Sequence, residues 1–169
     1  MITGIFVALL ILAGLAIGLR LYMGRAAEDR LRQSEDIALA DFRGPLPQNG
    51  FLACPADYCP IASDMTSPAL PLSIDRLGEL WPRVVQDEPR LVTVAAEPER
   101  RRLVLIQHSA GFRFPDVITV EFVALGPEQA SLAIYSRARY GKLDFGVNRR
   151  RVEGWFARLE RLTANPLAR

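Results

Sequence analysis

The sequence predicts an α+β domain: an antiparallel meander of about four strands with one helix before it and one after it, preceded by one N-terminal transmembrane helix. Three observations support this fold class. The chain starts with a long uncharged run. Four segments in its second half are rich in β-branched residues and are separated by turn residues, which is typical of strands. Apolar residues recur with helical spacing on both sides of those segments, which favours two helices packed on one face of a sheet.

The N-terminal run begins at Ile2 and ends at Leu19, and no residue within it is charged. At about 1.5 Å per residue it would span roughly 27 Å, close to the ~30 Å hydrocarbon core of a bilayer. A cleaved signal peptide is the alternative, but no Lys or Arg precedes the run and the residues after it make a poor cleavage site. The sequence favours a retained anchor over residues 1–23, with the lipid bilayer as its partner. Gly14 and Gly18 form a GxxxG pair, which allows a weak homodimer.

Residues 24–50 are expected to form a juxtamembrane helix followed by a linker. Charged residues with scattered aliphatic ones favour a helix over residues 28–42, and the Gly and Pro residues after Arg43 favour a linker. The soluble α+β domain is then expected over residues 51–164. Its first part, residues 51–72, contains both cysteines and several prolines and has neither a helical nor a strand period, so it is predicted to be irregular.

Regular structure is predicted from Ser73 onward, because this residue is a suitable N-cap for the first helix. The apolar stripe of that helix is Ile74, Leu77, Leu80 and Trp81. The predicted strands, in chain order, cover residues 91–96, 103–108, 117–125 and 130–139.

The last helix is predicted to begin at Asn148, which is also a suitable N-cap. Its apolar stripe is Val152, Trp155, Phe156, Leu159 and Leu162. Short turns between the four strands favour antiparallel pairing, and the two helices are expected to cover one face of the sheet.

Composition argues against several functional classes. The net charge is +2, and the chain has one histidine, His108, and two cysteines. A nucleic-acid surface would need a clustered basic face, and zinc sites, iron–sulfur clusters and histidine-based triads need more ligands or partners than these. No nucleic-acid partner, cofactor, metal site or enzymatic activity is therefore expected.

The densest polar stretch covers residues 136–151 and holds the candidate ligand- or partner-binding site. The candidate residues are Arg139, Asp144, Asn148, Arg149 and Arg151. Arginines in the first turn of a helix are unfavourable beside the positive end of the helix dipole, so an anion bound there would relieve the mismatch. The alternative is structural and is the commoner case for a run of arginines: Arg139 and one of the three arginines at 149–151 pair with Asp144, Glu153 or Asp116, and the others are solvated.

The side of the membrane is not settled by the residues themselves. Four arginines follow the hydrophobic run, and the positive-inside rule would place the domain in the cytoplasm. Cys54 and Cys59 delimit a short loop that a disulfide could close, and disulfides persist outside the cytosol. A pair of free, buried cysteines is the alternative.

The stretch from Ser136 to Val152 resembles an uncharacterised family of bacterial and plastid proteins, domain of unknown function 1499. The residues that fit its tail pattern are Ser136, Arg139, Gly141, Asp144, Gly146, Val147, Asn148, Arg149 and Arg151. Residues 114–117 and the cysteine pair are also similar to the family, whereas Tyr135, Arg137, Ala138 and Phe145 depart from it. The resemblance implies no established activity. Because many members look membrane-anchored, lipoprotein-like or lumenal, it implies a Cys54–Cys59 disulfide and a domain on the periplasmic side.

The predicted function is a membrane-anchored, non-catalytic module that binds a protein partner or an anionic ligand at the cell envelope. The alternative is a carrier of an apolar small molecule or lipid, held in a cavity between the sheet and the C-terminal helix.

Overall fold

The computed structural model describes Ile11, Gly14, Leu15, Gly18 and residues 38–164. The chain divides into two compact units, Met1–Asp36 and Ile37–Arg169. Almost all of the predicted anchor and juxtamembrane helix lies outside the described residues. Among the residues that are described, no helix is both long and apolar enough to cross a bilayer.

The second unit is built on one six-stranded sheet with two helices. The strands are β1 (Gly50–Cys54), β2 (Met65–Thr66), β3 (Leu91–Glu97), β4 (Arg102–His108), β5 (Pro115–Gly126) and β6 (Gln129–Ala138). The helices are α1 (Ile74–Val85), between β2 and β3, and α2 (Val147–Ala164), after β6. The strand order across the sheet is β2-β1-β6-β5-β4-β3.

The predicted fold class was wrong in its sheet, which has six strands rather than about four and is mixed rather than antiparallel throughout. The described residues also contain no long apolar helix that would correspond to the predicted transmembrane element. Strands β3 to β6 form an antiparallel meander. Two strands were missed in the segment predicted to be irregular: β1, which pairs antiparallel with β6, and β2, which pairs parallel with β1. Four of the five residues of β1 are buried, so it lacks the alternation that reveals a half-exposed strand.

Both helices pack on one face of the sheet and form the larger core. Ser73 caps α1 as predicted, because its Oγ accepts a hydrogen bond from the amide of Arg76 at 3.3 Å. Trp81 of α1 contacts Trp155 of α2 edge to face, with ring centroids 5.4 Å apart. The residues that α2 buries are Asn148, Val152, Trp155, Phe156 and Leu159, which include most of its predicted apolar stripe.

The opposite face of the sheet is covered by irregular chain. Leu39 is buried there, and the ring of Phe42 lies 5.2 Å from that of Tyr135. Cys54 and Cys59 are joined by a disulfide, with their Cα atoms 6.2 Å apart, and both residues belong to this second core. Residues 38–49, which sequence assigned to the juxtamembrane helix and linker, therefore pack against the sheet.

A row of charged residues crosses this second face, of which Arg102 and Glu121 are buried and Glu97 is partly exposed. Glu97 of β3 lies opposite Arg102 of β4, which lies opposite Glu121 of β5. Arg102 donates from Nη2 to Glu97 Oε1 at 2.7 Å. The two oxygens of Glu121 accept from the amide of Leu39 at 2.9 Å and from the hydroxyl of Tyr58 at 3.0 Å. This set of residues, here called the Glu121 row, fastens the covering segment to the sheet.

Burial raises the pKa of the Tyr58 hydroxyl, and the charge of Glu121 raises it further. The phenol is therefore neutral at physiological pH and acts as a donor to the carboxylate.

Candidate functional site

A buried polar cluster lies on the helix face of the sheet, beneath the first turns of α2. The side chain of Arg151 is only 6 % exposed and lies among residues of β4, β5, β6 and its own helix. Its Nη2 is 2.6 Å from Asp116 Oδ2, and its Nη1 donates to Ser136 Oγ at 2.7 Å. It also donates to Gln107 Oε1 and Asn148 Oδ1. These five residues are the Arg151 network.

The ion pair in this network is largely withdrawn from solvent. Burial raises the pKa of Asp116 above its usual value, and this effect exceeds the lowering by the hydrogen bond and charge of Arg151. Asp116 is therefore protonated more readily than an exposed aspartate would be. The Arg151 network binds the start of α2 to the ends of three strands through charge-assisted hydrogen bonds.

Asn148 and Asn49 extend the network to the loop between β6 and α2. Asn148 Nδ2 donates to the carbonyl of Asn49 at 3.0 Å, and its Oδ1 accepts from the hydroxyl of Ser136 at 2.7 Å. Asn49 Nδ2 donates to the carbonyls of Gly141 at 2.7 Å and Ala138 at 3.2 Å. The side-chain amides of Asn49 and Asn148 therefore fix the backbone of the loop between β6 and α2.

Asp144, rather than Asn148, caps α2. The Asp144 carboxylate accepts from the amide of Gly146 at 3.0 Å and from the amide of Asn148 at 2.8 Å. Asn148 lies inside the helix and is fully buried, so its prediction as N-cap was wrong. Burial by itself would raise the pKa of Asp144, but the hydrogen bonds from Asn148 and Gly146 outweigh it and lower the pKa.

The other two arginines of the run 149–151 point away from the network. The guanidinium carbon of Arg149 lies 4.8 Å from the ring centroid of Phe51, and its Nη1 lies 3.4 Å from Glu153 Oε1. Arg150 donates to the carbonyl of Phe145 at 3.0 Å. Arg139 is exposed, and its backbone amide donates to the carbonyl of Pro115 at 3.1 Å. The structure thus brings Asp144, Asn148 and Arg151 together and leaves Arg139 and Arg149 on the surface.

An open cleft of about 470 Å³ lies beside the network, between α2 and the chain that follows α1. The charged and polar residues that line it are Glu88, Gln107, Arg150, Arg151, Arg158 and Arg161. Gly154 also lines it, and a Cβ built there would meet no atom within 4 Å, so the wall of the cleft is open at this point. This site is here called the arginine cleft.

Glu88 is the acidic residue of the cleft wall and has several partners. Its Oε1 accepts from the indole Nε1 of Trp155 at 2.9 Å and lies 4.0 Å from Arg158 Nη2. Its Oε2 accepts from Gln107 Nε2 at 3.2 Å. Even with Glu88 and the Asp116 partner of Arg151 counted, the four guanidinium groups leave the cleft positively charged.

Arg158 and Arg161 were missed as site residues. Arg150, Gly154, Arg158 and Arg161 recur at helical spacing, which places them on one face of α2. This spacing is the signal in the sequence that indicates an arginine-rich face of α2 beside its apolar stripe.

No three His, Cys, Asp or Glu side chains within residues 38–164 are grouped so that they could hold a metal ion. His108 is buried at the end of β4, where its backbone amide donates to the carbonyl of Arg90 at 3.2 Å.

A family model described as "Protein of unknown function (DUF1499)" matches residues 63–159. The matched range includes the whole Arg151 network and most of the arginine cleft, and it begins after the disulfide. No curated protein and no solved structure matches the chain significantly.

Proposed function

We propose a non-catalytic binding role for this chain, which belongs to the DUF1499 family of proteins of unknown function. In this proposal the domain binds an anionic, phosphate-bearing ligand at a membrane surface of the cell envelope. The observation that carries the proposal is the arginine cleft, in which one face of α2 presents arginines to an open space of about 470 Å³.

The chemistry of the cleft suits a phosphate group. Guanidinium groups are planar, permanently charged and able to donate two parallel hydrogen bonds to a phosphate. Arg151 is held rigidly by its acceptors, and Gln107, which accepts from it, lines the same wall. Arg158 is partly buried and donates to the carbonyl of Val84, so it is held in the cleft wall, whereas the exposed Arg161 is free to reorient toward a ligand that enters from solvent.

Two features support an envelope location. Residues 2–19 carry no charge, as expected of a membrane-associated segment. The Cys54–Cys59 disulfide is of a kind that persists in oxidising compartments, which supports the periplasmic side.

The hydrogen bonds that Ser136 and Asp116 already make support a binding role over a catalytic one. The Ser136 hydroxyl donates to the amide oxygen of Asn148 and accepts from Arg151, so no base is placed to activate it as a nucleophile. The Asp116 carboxylate is likewise engaged by Arg151.

The carrier function has less support. Val152, Trp155, Phe156 and Leu159 of α2 are at most 3 % exposed, so the predicted cavity between the sheet and this helix is filled by side chains. An apolar groove of about 660 Å³ does lie between α1 and β3–β4. The charges at its edge are already paired with one another, for example Arg101 with Asp75 at 3.4 Å, and offer little to orient a ligand.

The cleft contains a built-in spectroscopic reporter, because the indole N–H of Trp155 donates to Glu88 in its wall. We expect titration of the full-length, ¹⁵N-labelled chain with inorganic phosphate to shift this indole resonance in a saturable way. The double variant R158Q/R161Q should bind phosphate at least about tenfold more weakly, since each lost hydrogen bond to a charged group is worth about 1.5–3 kcal/mol.

The matched control is Arg76→Gln, which removes an exposed arginine of α1 that pairs with Glu79 at 2.7 Å, away from the cleft. It should bind phosphate as the wild type does. Equal affinities of R158Q/R161Q and the wild type, or equal losses in R158Q/R161Q and R76Q, would refute phosphate binding in the cleft.

A further inference from the structure

A cluster of large apolar side chains is exposed at one end of the sheet. Their exposed fractions run from 53 % for Phe114 to 85 % for Phe145. The cluster, here called the aromatic tip, consists of Phe112, Phe114, Tyr140, Leu143 and Phe145. Isolated exposed apolar residues are common. Here the rings of Phe112, Phe114 and Tyr140 contact one another, and Leu143 and Phe145 follow Tyr140 in the same loop, which favours a surface that contacts another molecule.

The tip is formed by two loops that are distant in sequence. One loop joins β4 to β5, and the other joins β6 to α2. They meet because His108 pairs with Pro115 and Asp116 pairs with Ala138 at the same end of the sheet. The rings of Phe112 and Phe114 are 5.6 Å apart, and those of Phe114 and Tyr140 are 6.0 Å apart.

Two residues of the tip loops have a left-handed backbone, as do Asp57, Arg90 and Arg101 elsewhere in the described part of the chain. Arg113 and Phe145 have φ values of 55° and 54°, in the left-handed region that favours glycine. The Phe145 ring is the most exposed of the tip and is thus not held by packing. Strained backbone of this kind persists where the surrounding structure imposes it, and it is concentrated at functional sites.

Hydrogen bonds that involve Arg150, Asp144 and Asn49 fix the backbone of the loop between β6 and α2. Arg150 donates to the carbonyl of Phe145, and Asp144 accepts from the amide of Gly146. Asn49 donates to the carbonyl of Gly141. The loop therefore presents its apolar side chains outward from a fixed base, so little conformational entropy would be lost on binding.

The charges around the tip are mainly positive. Arg113, Arg139 and Lys142 lie in the two loops and are exposed, whereas the acidic Asp144 is turned toward the helix amides. Aromatic rings beside cations are the combination that favours the headgroup region of a bilayer: the rings enter the interface, and the cations attract anionic lipids.

We propose that the aromatic tip inserts into the interfacial region of a lipid bilayer that contains anionic phospholipids. The inference goes beyond ligand binding in the arginine cleft and does not depend on it, because Arg158 and Arg161 are not part of the tip. Phe112, Phe114, Tyr140, Leu143 and Phe145 supply the apolar contact, and Arg113 and Lys142 supply the attraction to the lipid headgroups.

The test uses a tryptophan in the tip as a depth probe. The full chain carrying Phe145→Trp is reconstituted into phosphatidylcholine vesicles with phosphatidylglycerol, and part of the phosphatidylcholine has brominated acyl chains, which quench indoles that reach them. Trp81 and Trp155 are 4 % and 1 % exposed and provide a constant background. We expect bromolipid to quench the additional emission of F145W.

The matched control is Leu125→Trp. Leu125 is also partly exposed, at 42 %, but it lies at the far end of β5. Twelve residues of strand at about 3.3 Å each separate the two ends of β5 by nearly 40 Å. The added emission of L125W should not be quenched, and equal quenching of L125W and F145W would overturn the proposal.

The charge requirement is tested separately with R113Q/K142Q in the F145W background. Without the two cations, or without phosphatidylglycerol, the ratio of inserted to free tip should fall on the order of tenfold. Equal quenching on pure phosphatidylcholine vesicles would refute the role of anionic lipid. At a fixed detergent concentration without vesicles, a blue shift of F145W emission that grows with protein concentration, together with more than one chain per particle, would indicate self-association and overturn insertion.

The substitution Phe145→Gly distinguishes a role of the ring in membrane contact from a role in folding. In the F112W background, Phe145→Gly relaxes the left-handed residue and should leave the melting temperature unchanged or slightly higher, while quenching by bromolipid falls. A large loss of stability in F112W/F145G would show that the Phe145 ring serves the fold instead. R158Q/R161Q should keep the tip quenching intact, which distinguishes a failure of the cleft from a failure of the tip.

Discussion

The Arg151 network and the Glu121 row bury charges on opposite faces of the same strands. Asp116 and Glu121 both lie on β5, and their odd spacing along the strand turns one toward the helices and the other toward the irregular segment. On the helix face, one guanidinium is surrounded by acceptors from β4, β5, β6 and α2. On the other face, one carboxylate accepts from a backbone amide and a phenol.

The two sets of charges stabilise different parts of the molecule. Arg151 lines the arginine cleft, and its network, through Asn148 and Asn49, holds the backbone of the loop between β6 and α2, which carries part of the aromatic tip. In the Glu121 row, Glu121 holds Leu39 and Tyr58 of the covering chain against the sheet. The first therefore positions a surface, whereas the second closes the core.

Arg151→Leu should produce the largest loss of stability. It leaves the Asp116 carboxylate buried without its cation and removes the donor that four acceptors share. We expect the free energy of unfolding to fall by about 3–5 kcal/mol in urea denaturation of the full chain. The double variant R151L/D116L should recover part of that loss, since two apolar residues replace the ion pair. A loss in R151L no greater than in the exposed control Arg76→Leu would contradict this account.

Glu121→Leu should have a smaller effect. The amide of Leu39 and the hydroxyl of Tyr58 lose their acceptor in a buried setting, which costs about 1–3 kcal/mol. Because the damage is confined to the covering segment, amide hydrogen exchange should increase at Leu39 while it stays slow in the meander and α2. Glu121→Gln keeps an acceptor oxygen and should lose less, and a uniform increase of exchange over the whole domain would count against a local role.

Asp144→Asn should give the smallest effect, and a pH-dependent one. The Asn side chain keeps one acceptor oxygen but lacks the negative charge and the second acceptor, which costs at most about 1 kcal/mol. The folded pKa of Asp144 is lowered from its ordinary value of 3.8, so its contribution is present above that value and is lost as the pH falls through the lowered folded pKa.

Urea titrations of the wild type and D144N, run from neutral pH down to about pH 3, measure this difference. The gap between the two proteins should narrow as the pH falls below 3.8. A gap that stays constant over this range would show that the Asp144 charge does not contribute to capping.

Much of the local structure was predictable because it depends on short-range patterns. The stripe of α1 and its Ser73 cap, the β-branched strands of the meander and the apolar stripe of α2 all follow from spacing within a few residues. The tail motif around Ser136 and Asn148 was specific enough to indicate the family, which the family model confirms. The binding role and the membrane side stay predictions.

The cap of α2 and the strand β1 were predicted wrongly for different physical reasons. Asp144 and Asn148 are both good caps, and the choice between them depends on the backbone path through Gly146, which has a φ of 73°. The strand β1 is recognisable only through its partner β6, since burial on both faces removes its alternation.

By itself, the sequence determined where helices and most strands form, because periodicity and capping are local properties of the chain. Only the tertiary structure decided the roles of Arg149, Arg150 and Arg151. Consecutive helical residues point about 100° apart, so the packing of α2 buries one arginine and exposes its neighbours. The tertiary structure also forms the aromatic tip, because strand pairing brings together two loops that are distant in sequence and that no local pattern connects.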